Sequence, residues 1–408
     1  MKIGIWIDEP MDKTSGGSYT YSTTLIKGID DFNFTSEIVF ISLNKLSGFN
    51  RPCIDIKPHQ KGVSTFKKVL RRLLKLISRD FFSNNINAID QKEKRIRDSF
   101  ASAYLKQEGI KIIFYPIPMS HVINGIPFIL NNWDLGHYST YSFPEMADNA
   151  GFHKRNEWYV STVPYALMIL SETNAGKKEL INYLNLNPEK IKVLPMFSSD
   201  NLAKTELTDK GQNEILRTWG LEEQRFFFYP AQFWAHKNHY NLIKAFQNFT
   251  KLHTDFKLVL CGSDKGNVTY LKHYVKTLSL EKNVIFTGFI EDQVLYTFYK
   301  NARALIMPTF LGPSNIPPIE AMRLNCPVLI SDLEGHREML GDSALYFDPA
   351  NHLSIMESMT TIMDDRIRLD LVQKQKHQLN TTDHSIDQAL RKLDKYFVEA
   401  VNIRNCWE

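Results

Sequence analysis

The stretch from Ala304 to Pro349 constrains the fold more than any other part of this sequence. Its first four residues, Ala304–Met307, are apolar and are typical of a buried parallel strand. The adjacent prolines Pro317-Pro318 suit the first turn of a helix, where backbone N–H groups have no intrahelical partner to lose. A second apolar run, Val328–Ser331, predicts the next strand. The stretch is therefore expected to fold as strand, loop, helix and strand.

The loop before this predicted helix has no long side chains, since it reads Gly312-Pro313-Ser314-Asn315. A helix N-terminus that faces such a loop can bind an anion through its free backbone N–H groups. Asn315 is placed to cap the helix through its side-chain oxygen. Glu320 is expected in the first turn, where its carboxylate can accept hydrogen bonds from a pair of hydroxyls.

These residues resemble the nucleotide-sugar signature of the retaining, GT-B-type glycosyltransferases of family 4. In that signature a glutamate is followed, after seven residues, by a second glutamate near a proline-containing helix start. The matching residues here are Ile316-Pro317-Pro318-Ile319-Glu320-Ala321-Met322, Cys326-Pro327-Val328, Ser331-Asp332, Gly335, Glu338 and Phe347-Asp348-Pro349. One residue departs from the signature, because Gly312 occupies the position of the first glutamate.

The resemblance implies an α/β protein with the GT-B fold, in which two Rossmann-like, doubly wound domains face a central cleft. It implies an N-terminal acceptor-side domain over residues 1–200, a C-terminal nucleotide-sugar-binding domain over 201–385, and a helix over 386–408 that crosses back. The donor is then a nucleotide diphosphate sugar, and no metal or other cofactor is expected because no DxD-type loop stands out. The implied donor-binding residues in this stretch are Gly312, Pro313, Ser314, Asn315, Ile316 and Glu320.

Composition is that of a globular enzyme with two domains, since 408 residues exceed what one hydrophobic core usually serves. The net charge of +4 is too small to indicate nucleic-acid binding by itself. The four cysteines have no motif spacing, which indicates a reducing compartment. The run Met1–Ile7 is too short for a signal peptide, and no run reaches the roughly 18 apolar residues of a spanning helix. A cytoplasmic location is therefore expected.

Short apolar runs alternate with helical patterns along the whole chain, which predicts parallel, doubly wound sheets. Ligands of such sheets bind at the loops that follow the carboxyl ends of the strands. The predicted strands are Lys2–Ile7, Ile38–Ser42, Ile110–Tyr115, Pro127–Leu130, Leu167–Ser171, Lys190–Leu194, Phe226–Tyr229, Lys257–Cys261, Val284–Thr287, Ala304–Met307 and Val328–Ser331.

Two glycines, Gly16 and Gly17, follow the first predicted strand and precede a helical pattern. Glycines let backbone N–H groups approach a ligand closely, although a plain turn is the simpler interpretation of these residues alone. The resemblance implies that they face the donor phosphates and the acceptor.

The segment Val63–Phe82 has helical periodicity with one apolar face and one basic face. A helix of this kind can lie on an anionic membrane surface, and it can equally pack on its own domain with the basic face in water. Both interpretations are open, and the first predicts peripheral contact with the inner face of a membrane. The basic residues are Lys67, Lys68, Arg71, Arg72, Lys75 and Arg79.

A polar loop follows the predicted strand Pro127–Leu130 and contains Asp134 and His137. A histidine in such a loop is usually structural. The loop is similar to the DLxH loop of many polysaccharide glycosyltransferases. That similarity implies that Asp134 and His137 contact the acceptor and that His137 takes part in catalysis.

The loop after Phe226–Tyr229 is similar to the loop in which family members hold the donor diphosphate with an arginine and a lysine. Lys237 stands at the lysine position and Asn238 follows it, whereas Gln232 stands at the arginine position. An ammonium group beside a leaving diphosphate stabilises the charge that develops there, often the largest catalytic contribution. The resemblance thus implies a catalytic role for Lys237 and donor contacts by Gln232 and Asn238.

Two further loops, at Gly262 and at Gly288-Phe289, follow predicted strands. Turn chemistry alone accounts for each glycine. In the resembling family these loops border the nucleotide, so Gly262, Gly288 and Phe289 are expected at the donor site. The amphipathic pattern of Ser385–Val401 predicts the final helix.

Together these features imply a metal-independent, retaining transfer of a hexose to a glycan or lipid-linked saccharide in surface polysaccharide synthesis. Lys237, His137 and Glu320 are the implied catalytic residues. The lost charges at Gly312 and Gln232 keep open a catalytically weak or inactive partner subunit of a glycosyltransferase complex. A nucleotide-sugar 2-epimerase shares the two-domain plan, but the acid–base carboxylates it needs are not evident. Nucleic-acid binding is suggested only by the basic segment and is improbable.

Overall fold

The computed structural model describes residues 1–7, 16–56, 98–147, 149–199, 202, 205, 207–382 and 384–407. The basic segment Val63–Phe82 lies outside these residues. Two parallel β-sheets, of seven and six strands, form the centres of the fold, and helices connect their strands. The predicted α/β fold of two doubly wound sheets is confirmed.

The first sheet takes its strands from the N-terminal half of the chain. Residues 98–107 are also helical. In chain order the other elements are β1 (Lys2–Trp6), α1 (Gly17–Asp31), β2 (Glu37–Ser42), β3 (Cys53–Asp55), β4 (Ile110–Tyr115), β5 (Phe128–Asn132), α2 (Gly136–Ser139), α3 (Pro144–Ala147), α4 (Asn149–Thr162), β6 (Met168–Ser171), α5 (Asn174–Leu184) and β7 (Ile191–Val193).

The second sheet follows after helix α6 and is completed before the last three helices. Its elements are α6 (Asp209–Thr218), β8 (Phe226–Pro230), α7 (His239–Thr250), β9 (Lys257–Cys261), α8 (Val268–Thr277), β10 (Val284–Gly288), α9 (Asp292–Asn301), β11 (Ala304–Met307), α10 (Ile316–Arg323), β12 (Val328–Ser331), α11 (Glu334–Leu340), β13 (Leu345–Phe347), α12 (His352–Thr361), α13 (Asp365–Thr382) and α14 (Ile386–Asn405).

The order of strands places one reversal in each sheet. The first sheet runs β3-β2-β1-β4-β5-β6-β7 and the second β10-β9-β8-β11-β12-β13, and all recorded strand pairs are parallel. The reversals lie between β1 and β4 and between β8 and β11. At such a point the connections leave in opposite directions, so a crevice opens beyond the carboxyl ends of the two strands.

Burial explains why the central strands read as unbroken apolar runs. The four residues Phe226–Tyr229 of β8 have no exposed surface, because helices cover both faces of the sheet. The edge strands β3 and β13 were not predicted. Each has three residues, too few for any periodicity to be seen in the sequence.

The last helix, α14, packs against the first half of the chain. Ser385 caps it by accepting a hydrogen bond from the Gln388 N–H. Its Phe397 ring lies 5.5 Å from the rings of Phe34 and Phe114. A Cβ at Gly28 of α1 would approach Leu390 of α14 to 2.9 Å, so the glycine allows the two helices to pack closely. Among the described helices, none is both long and apolar enough to cross a membrane.

Candidate active site

A cleft of about 1700 Å³ lies where the two sheets face each other, at the reversal between β8 and β11. The loop after β8 contributes Gln232 and Lys237, and the loop after β11 contributes residues 312–315. From the first sheet, Gly16 and Gly17 face the same space. The predicted residues that line it are Gly16, Gly17, Asp134, Gln232, Lys237, Gly262, Phe289, Gly312, Pro313, Ser314, Asn315, Ile316 and Glu320.

Lys237 is half-buried and lines this cleft. Its Nζ donates a hydrogen bond to Asn315 Oδ1 at 3.3 Å. Burial lowers the pKa of Lys237 to about 8, and the carboxylates of Asp134 and Glu145 oppose this shift. The side chain is therefore mostly a cation at neutral pH, with a neutral amide as its direct neighbour. Such a cation is suited to an anionic ligand.

Gln232, which stands at the arginine position of the resembling family, hydrogen-bonds to two neutral side chains. Its Oε1 accepts from Trp234 Nε1 at 2.9 Å, and its Nε2 donates to Ser263 Oγ at 3.2 Å. Gly16, with φ of 64°, lies beside it, because a Cβ there would be 3.8 Å from the Gln232 side chain. The site thus has an amide where the family pattern has a second cation.

Helix α10 begins one residue after Asn315, as predicted, with prolines in its first turn. Two details of the prediction are wrong. The Asn315 side chain makes no capping hydrogen bond and turns to Lys237 and His336 instead. Glu320 is the fifth residue of the helix and lies in its second turn.

Glu320 lines the cleft and is anchored by a tyrosine. Its Oε2 accepts a hydrogen bond from Tyr299 OH at 2.8 Å. Burial raises the pKa of Glu320 to about 7, although the Tyr299 hydrogen bond works against the rise. The carboxyl group is therefore close to half ionised at neutral pH, and its second oxygen is available to a ligand hydroxyl.

Asp134 pairs with Arg155 on the opposite side of the cleft. Its Oδ1 accepts from Arg155 Nη2 at 2.6 Å and from the Gly136 N–H at 2.7 Å. Burial alone would raise the pKa of Asp134, but Arg155 and the Gly136 N–H outweigh it and the pKa is lowered. Asp134 is therefore a carboxylate at neutral pH.

His137 is placed differently from the prediction of a sugar-facing side chain. It has no exposed surface and is not among the residues that line the cleft. Its ring packs against Tyr138, Phe152 and Tyr159, and neither nitrogen has a hydrogen-bond partner among the described residues. Burial, with a smaller effect of Arg155, lowers its pKa to about 4. A contact between His137 and a sugar stays a prediction, and this arrangement offers no exposed atom for it.

The remaining predicted donor residues fall into two groups. Phe289 is 55% exposed and lies at the edge of the cleft. Gly262 allows two loops to contact each other closely, because a Cβ there would lie 2.3 Å from the Ala231 carbonyl oxygen. Asn238 and Gly288 are not among the cleft-lining residues. The Asn238 amide donates to the Pro308 and Pro349 carbonyls at 2.9 and 2.8 Å, so it holds the Lys237 loop in place.

Two carboxyl groups join the halves of the cleft, and neither was predicted to be a site residue. Glu145 Oε1 accepts from both the backbone N–H and Nδ1 of His236, at 2.9 and 2.6 Å. Glu172 accepts a hydrogen bond from Ser314 Oγ. Burial raises the pKa of Glu172 to about 8, and its Oε1 has no partner among the described residues. Their partners are 91 and 142 residues away, so no local pattern could have indicated them.

Comparison with known proteins is consistent with this geometry. Residues 212–380 match the family model described as glycosyl transferases group 1. The chain is 27% identical over 194 residues to the O-antigen chain mannosyltransferase RfbU of Salmonella typhimurium, covering 48% of this chain and 50% of that one. It is 25% identical over 186 residues to O-antigen chain mannosyltransferase B of Escherichia coli, covering 45% and 48%. The chain thus matches about half the length of these curated relatives.

Among solved structures, HepE of Anabaena in complex with UDP and glucose is similar over nearly the whole chain. The TM-score is 0.67 at 13% identity, with 98% of this chain and 100% of that chain covered. This likeness extends the shared fold beyond residues 212–380 to both sheets and the cleft between them. Residues 212–380 thus resemble the group 1 glycosyl transferases, and the two facing Rossmann-like domains of the chain have the GT-B fold.

Proposed function

We propose that this chain moves a hexose from a nucleoside diphosphate sugar to a hydroxyl of a glycan or lipid-linked saccharide in surface polysaccharide synthesis. One observation carries the proposal: Lys237, the start of α10 and Glu320 line one cleft, from the loop after β8 and the helix after β11. The curated relatives named as O-antigen mannosyltransferases support the acceptor class.

The donor diphosphate is assigned to Lys237 and the start of α10. A helix N-terminus attracts anions through its free N–H groups and its dipole. Pro317 and Pro318 have no N–H, so only Asn315 and Ile316 offer backbone donors at this end of the helix. The small number of donors makes the Lys237 ammonium the main source of positive charge. Glu320 is assigned to the two ribose hydroxyls.

The chemical step breaks the bond between the anomeric carbon and the diphosphate oxygen and forms a bond to the acceptor oxygen. The acceptor's proton leaves with the diphosphate or to water. Negative charge grows on the departing diphosphate, so Lys237 stabilises the transition state more than the bound substrate. We further propose that the configuration at the anomeric carbon is retained and that no metal is required. Asp134 lines the opposite wall and is assigned to the acceptor.

A catalytically weak or inactive partner subunit is the alternative. It is favoured by the two lost charges, at Gly312 and Gln232, both of which lie in the cleft. A protein of this kind would bind a nucleotide sugar without turning it over.

The experiment is to measure nucleotide release from UDP-glucose, UDP-galactose and GDP-mannose, with and without a lipid-linked oligosaccharide. Acceptor-dependent release with one donor, abolished by Lys237→Ala, is the expected result. Binding of nucleotide sugar without release, together with capture of a second glycosyltransferase, would establish the partner-subunit alternative. Product analysis by NMR would test retention, and a chelator would test metal independence.

Peripheral membrane contact is proposed for the basic segment Val63–Phe82 on sequence grounds. Sedimentation with vesicles that contain anionic lipid, comparing the native chain with a variant neutralised at Lys67, Lys68, Arg71 and Arg72, tests it. Each basic residue near such a surface contributes about 1 kcal/mol. Absence of binding by the native chain would leave the packed-helix interpretation.

A further inference from the structure

The space beside Gly312 is already filled by another residue of the same loop. A Cβ at this position would lie 2.0 Å from Asn315 Nδ2 and 3.1 Å from His336 Nε2. Carbon and nitrogen atoms that are not bonded to each other do not approach so closely. A side chain at residue 312 and the observed position of Asn315 therefore exclude one another. The departure from the family signature at Gly312 is thus coupled to the placement of Asn315.

His336 determines which way the Asn315 amide faces. The His336 ring has no exposed surface, and its Nδ1 lies 2.8 Å from the Ser331 carbonyl oxygen. A carbonyl only accepts hydrogen bonds, so Nδ1 carries the proton and Nε2 carries the lone pair. Burial lowers the pKa of His336 to about 4, with a contribution from Lys237, so the ring is neutral.

The Asn315 amide fits between a lone pair and a cation in one orientation. Its Nδ2 lies 3.0 Å from His336 Nε2, and its Oδ1 lies 3.3 Å from Lys237 Nζ. Turning the amide over would place its oxygen against the His336 lone pair and its NH₂ group against the ammonium. Both of those contacts are repulsive. The tautomer of His336 therefore orients Asn315 Oδ1, a hydrogen-bond acceptor, toward Lys237.

We propose that Asn315, oriented by His336, is a positioning residue that holds the Lys237 ammonium in the cleft in place of a side chain at residue 312. Asn315 Oδ1 is the only hydrogen-bond partner of Lys237 Nζ within the described part of the chain. Because the amide is neutral, it directs the ammonium without neutralising its charge. One N–H and one lone pair of the amide remain for a hydroxyl of the donor sugar.

The other charged or titratable groups around Lys237 do not hold its ammonium group in position as Asn315 does. The groups that interact with it electrostatically come from several parts of the chain, and none of these described groups hydrogen-bonds to its Nζ. They are Asp134, Glu145, His236, His239 and His336. Burial lowers the pKa of all three histidines, so they are neutral above pH 7. The histidines therefore add no change of charge near Lys237 in that range. Glu172 and Glu320, which also line the cleft, have raised pKa values of about 8 and 7, so the Lys237 pKa is compared between variants that share both carboxyl groups.

The first experiment measures the pKa of Lys237 in the free protein, so it does not depend on the proposed function. Lysines labelled with ¹³C at the ε position are titrated by NMR, and the Lys237 signal is assigned by its loss in Lys237→Arg. Asn315→Leu removes the acceptor, and the Lys237 pKa is expected to fall. Asn315→Asp places a carboxylate there, and the pKa is expected to rise. His336→Leu is expected to act like Asn315→Leu, and His336→Gln, which keeps an acceptor, to restore the native value.

A Lys237 pKa that is the same in the native chain, Asn315→Leu and Asn315→Asp would overturn the proposal. A purely structural role of Asn315 would lower the melting temperature without moving this pKa. If His336→Leu does not fold, the two Asn315 variants still decide the question.

The second experiment rests on the proposed function and tests the exclusion between residues 312 and 315. Gly312→Glu alone is expected to weaken binding of UDP-glucose or GDP-mannose by about tenfold or more in calorimetry, because it displaces Asn315. Gly312→Glu combined with Asn315→Gly, which removes the clash, is expected to recover most of that loss, because the carboxylate at residue 312 can then hold the Lys237 ammonium instead of the Asn315 amide. Equal affinities of Gly312→Glu and native protein would contradict the exclusion. Failure of the native protein to bind either donor would instead count against the proposed function, leaving the NMR result as the test of Asn315.

Discussion

The carboxylate of Glu338 in the second half of the chain caps a helix of the first half. Its Oε1 accepts from the Asn174 N–H at 2.7 Å, and its Oε2 accepts from the Ala175 N–H at 3.0 Å. These two residues begin helix α5, whose free N–H groups and positive dipole end attract a carboxylate. Beside them, Thr173 Oγ1 donates to the Pro313 carbonyl at 3.0 Å. The loop of residues 312–315 is therefore tied directly to the first half of the chain.

Replacing Glu338 is expected to weaken this connection. Glu338→Ala should lower the free energy of unfolding by about 0.5–2 kcal/mol, the usual cost of losing a helix cap. The matched control is Glu334→Ala on the same helix, since within the described parts of the chain Glu334 makes only an exposed ion pair with Lys178, both side chains being 63% exposed. That pair should contribute about 0–1 kcal/mol. Urea unfolding followed by circular dichroism measures both, and equal losses would show that Glu338 is no cap.

Lys237→Ala is expected to reduce turnover by about 10²–10³, the range for loss of one preorganised donor to a developing negative charge. KM should change less, because the charge on the diphosphate is greatest in the transition state. The native rate should also fall as pH rises through about 8, where Lys237 loses its proton. Lys237→Arg, which stays charged, should move that fall to higher pH. Turnover within twofold of native in Lys237→Ala would remove Lys237 from the leaving-group role.

Glu320 should make donor binding stronger as pH rises, whereas loss of the Lys237 proton should make the rate fall. Its pKa is raised to about 7, and the ionised form accepts hydroxyl hydrogen bonds better, so affinity should increase as pH rises through 7. Glu320→Gln is expected to lose this increase and to bind about tenfold or more weakly, since a charge-assisted hydrogen bond is worth roughly 1.5–3 kcal/mol. Tyr299→Phe removes a hydrogen bond that lowers the Glu320 pKa, so the increase should move to higher pH. Calorimetry across pH 6–8 tests all three, and a flat native profile would contradict the role.

The sequence predicted the strands and loops of this site because they depend on local patterns. Apolar runs such as Val328–Ser331 match the strands closely, and the two prolines mark the start of α10. The side chain of Asn315 could not be predicted in the same way. Its capping preference is a local property, whereas its observed hydrogen bonds are to Lys237 and His336, 78 and 21 residues away. Contacts between the two halves of the cleft could not be predicted from the sequence either, because they also join residues that are far apart in the chain.

The position of the His137 side chain bears on its predicted contact with a sugar. The loop matches, but the side chain turns inward among aromatic rings. His137→Phe is expected to leave transfer activity within about twofold, a barrier difference of about 0.4 kcal/mol. The free energy of unfolding should stay level or increase by about 1 kcal/mol, because two buried polar atoms without partners are removed. A loss of turnover with unchanged stability would instead restore the predicted contact with the sugar.

Glu172 is expected to make the protein less stable as pH rises from about 5 to 8. Its folded pKa of about 8 lies above the ordinary value of 4.5. Between those values the folded chain holds a proton that the unfolded chain has released, so unfolding becomes more favourable as pH increases. Glu172→Gln keeps the shape of the side chain but does not titrate. Over this interval the unfolding free energy of the variant should fall by about 1–3 kcal/mol less than that of the native chain.

The exposed Glu189, changed to Gln, serves as the control and should follow the native curve. Because Glu179 and Glu320 also have raised pKa values, the difference between variant and native is the measured quantity. Parallel curves for the Glu172 variant and the native chain in urea unfolding at pH 5, 6.5 and 8 would show that Glu172 is ionised in the folded state.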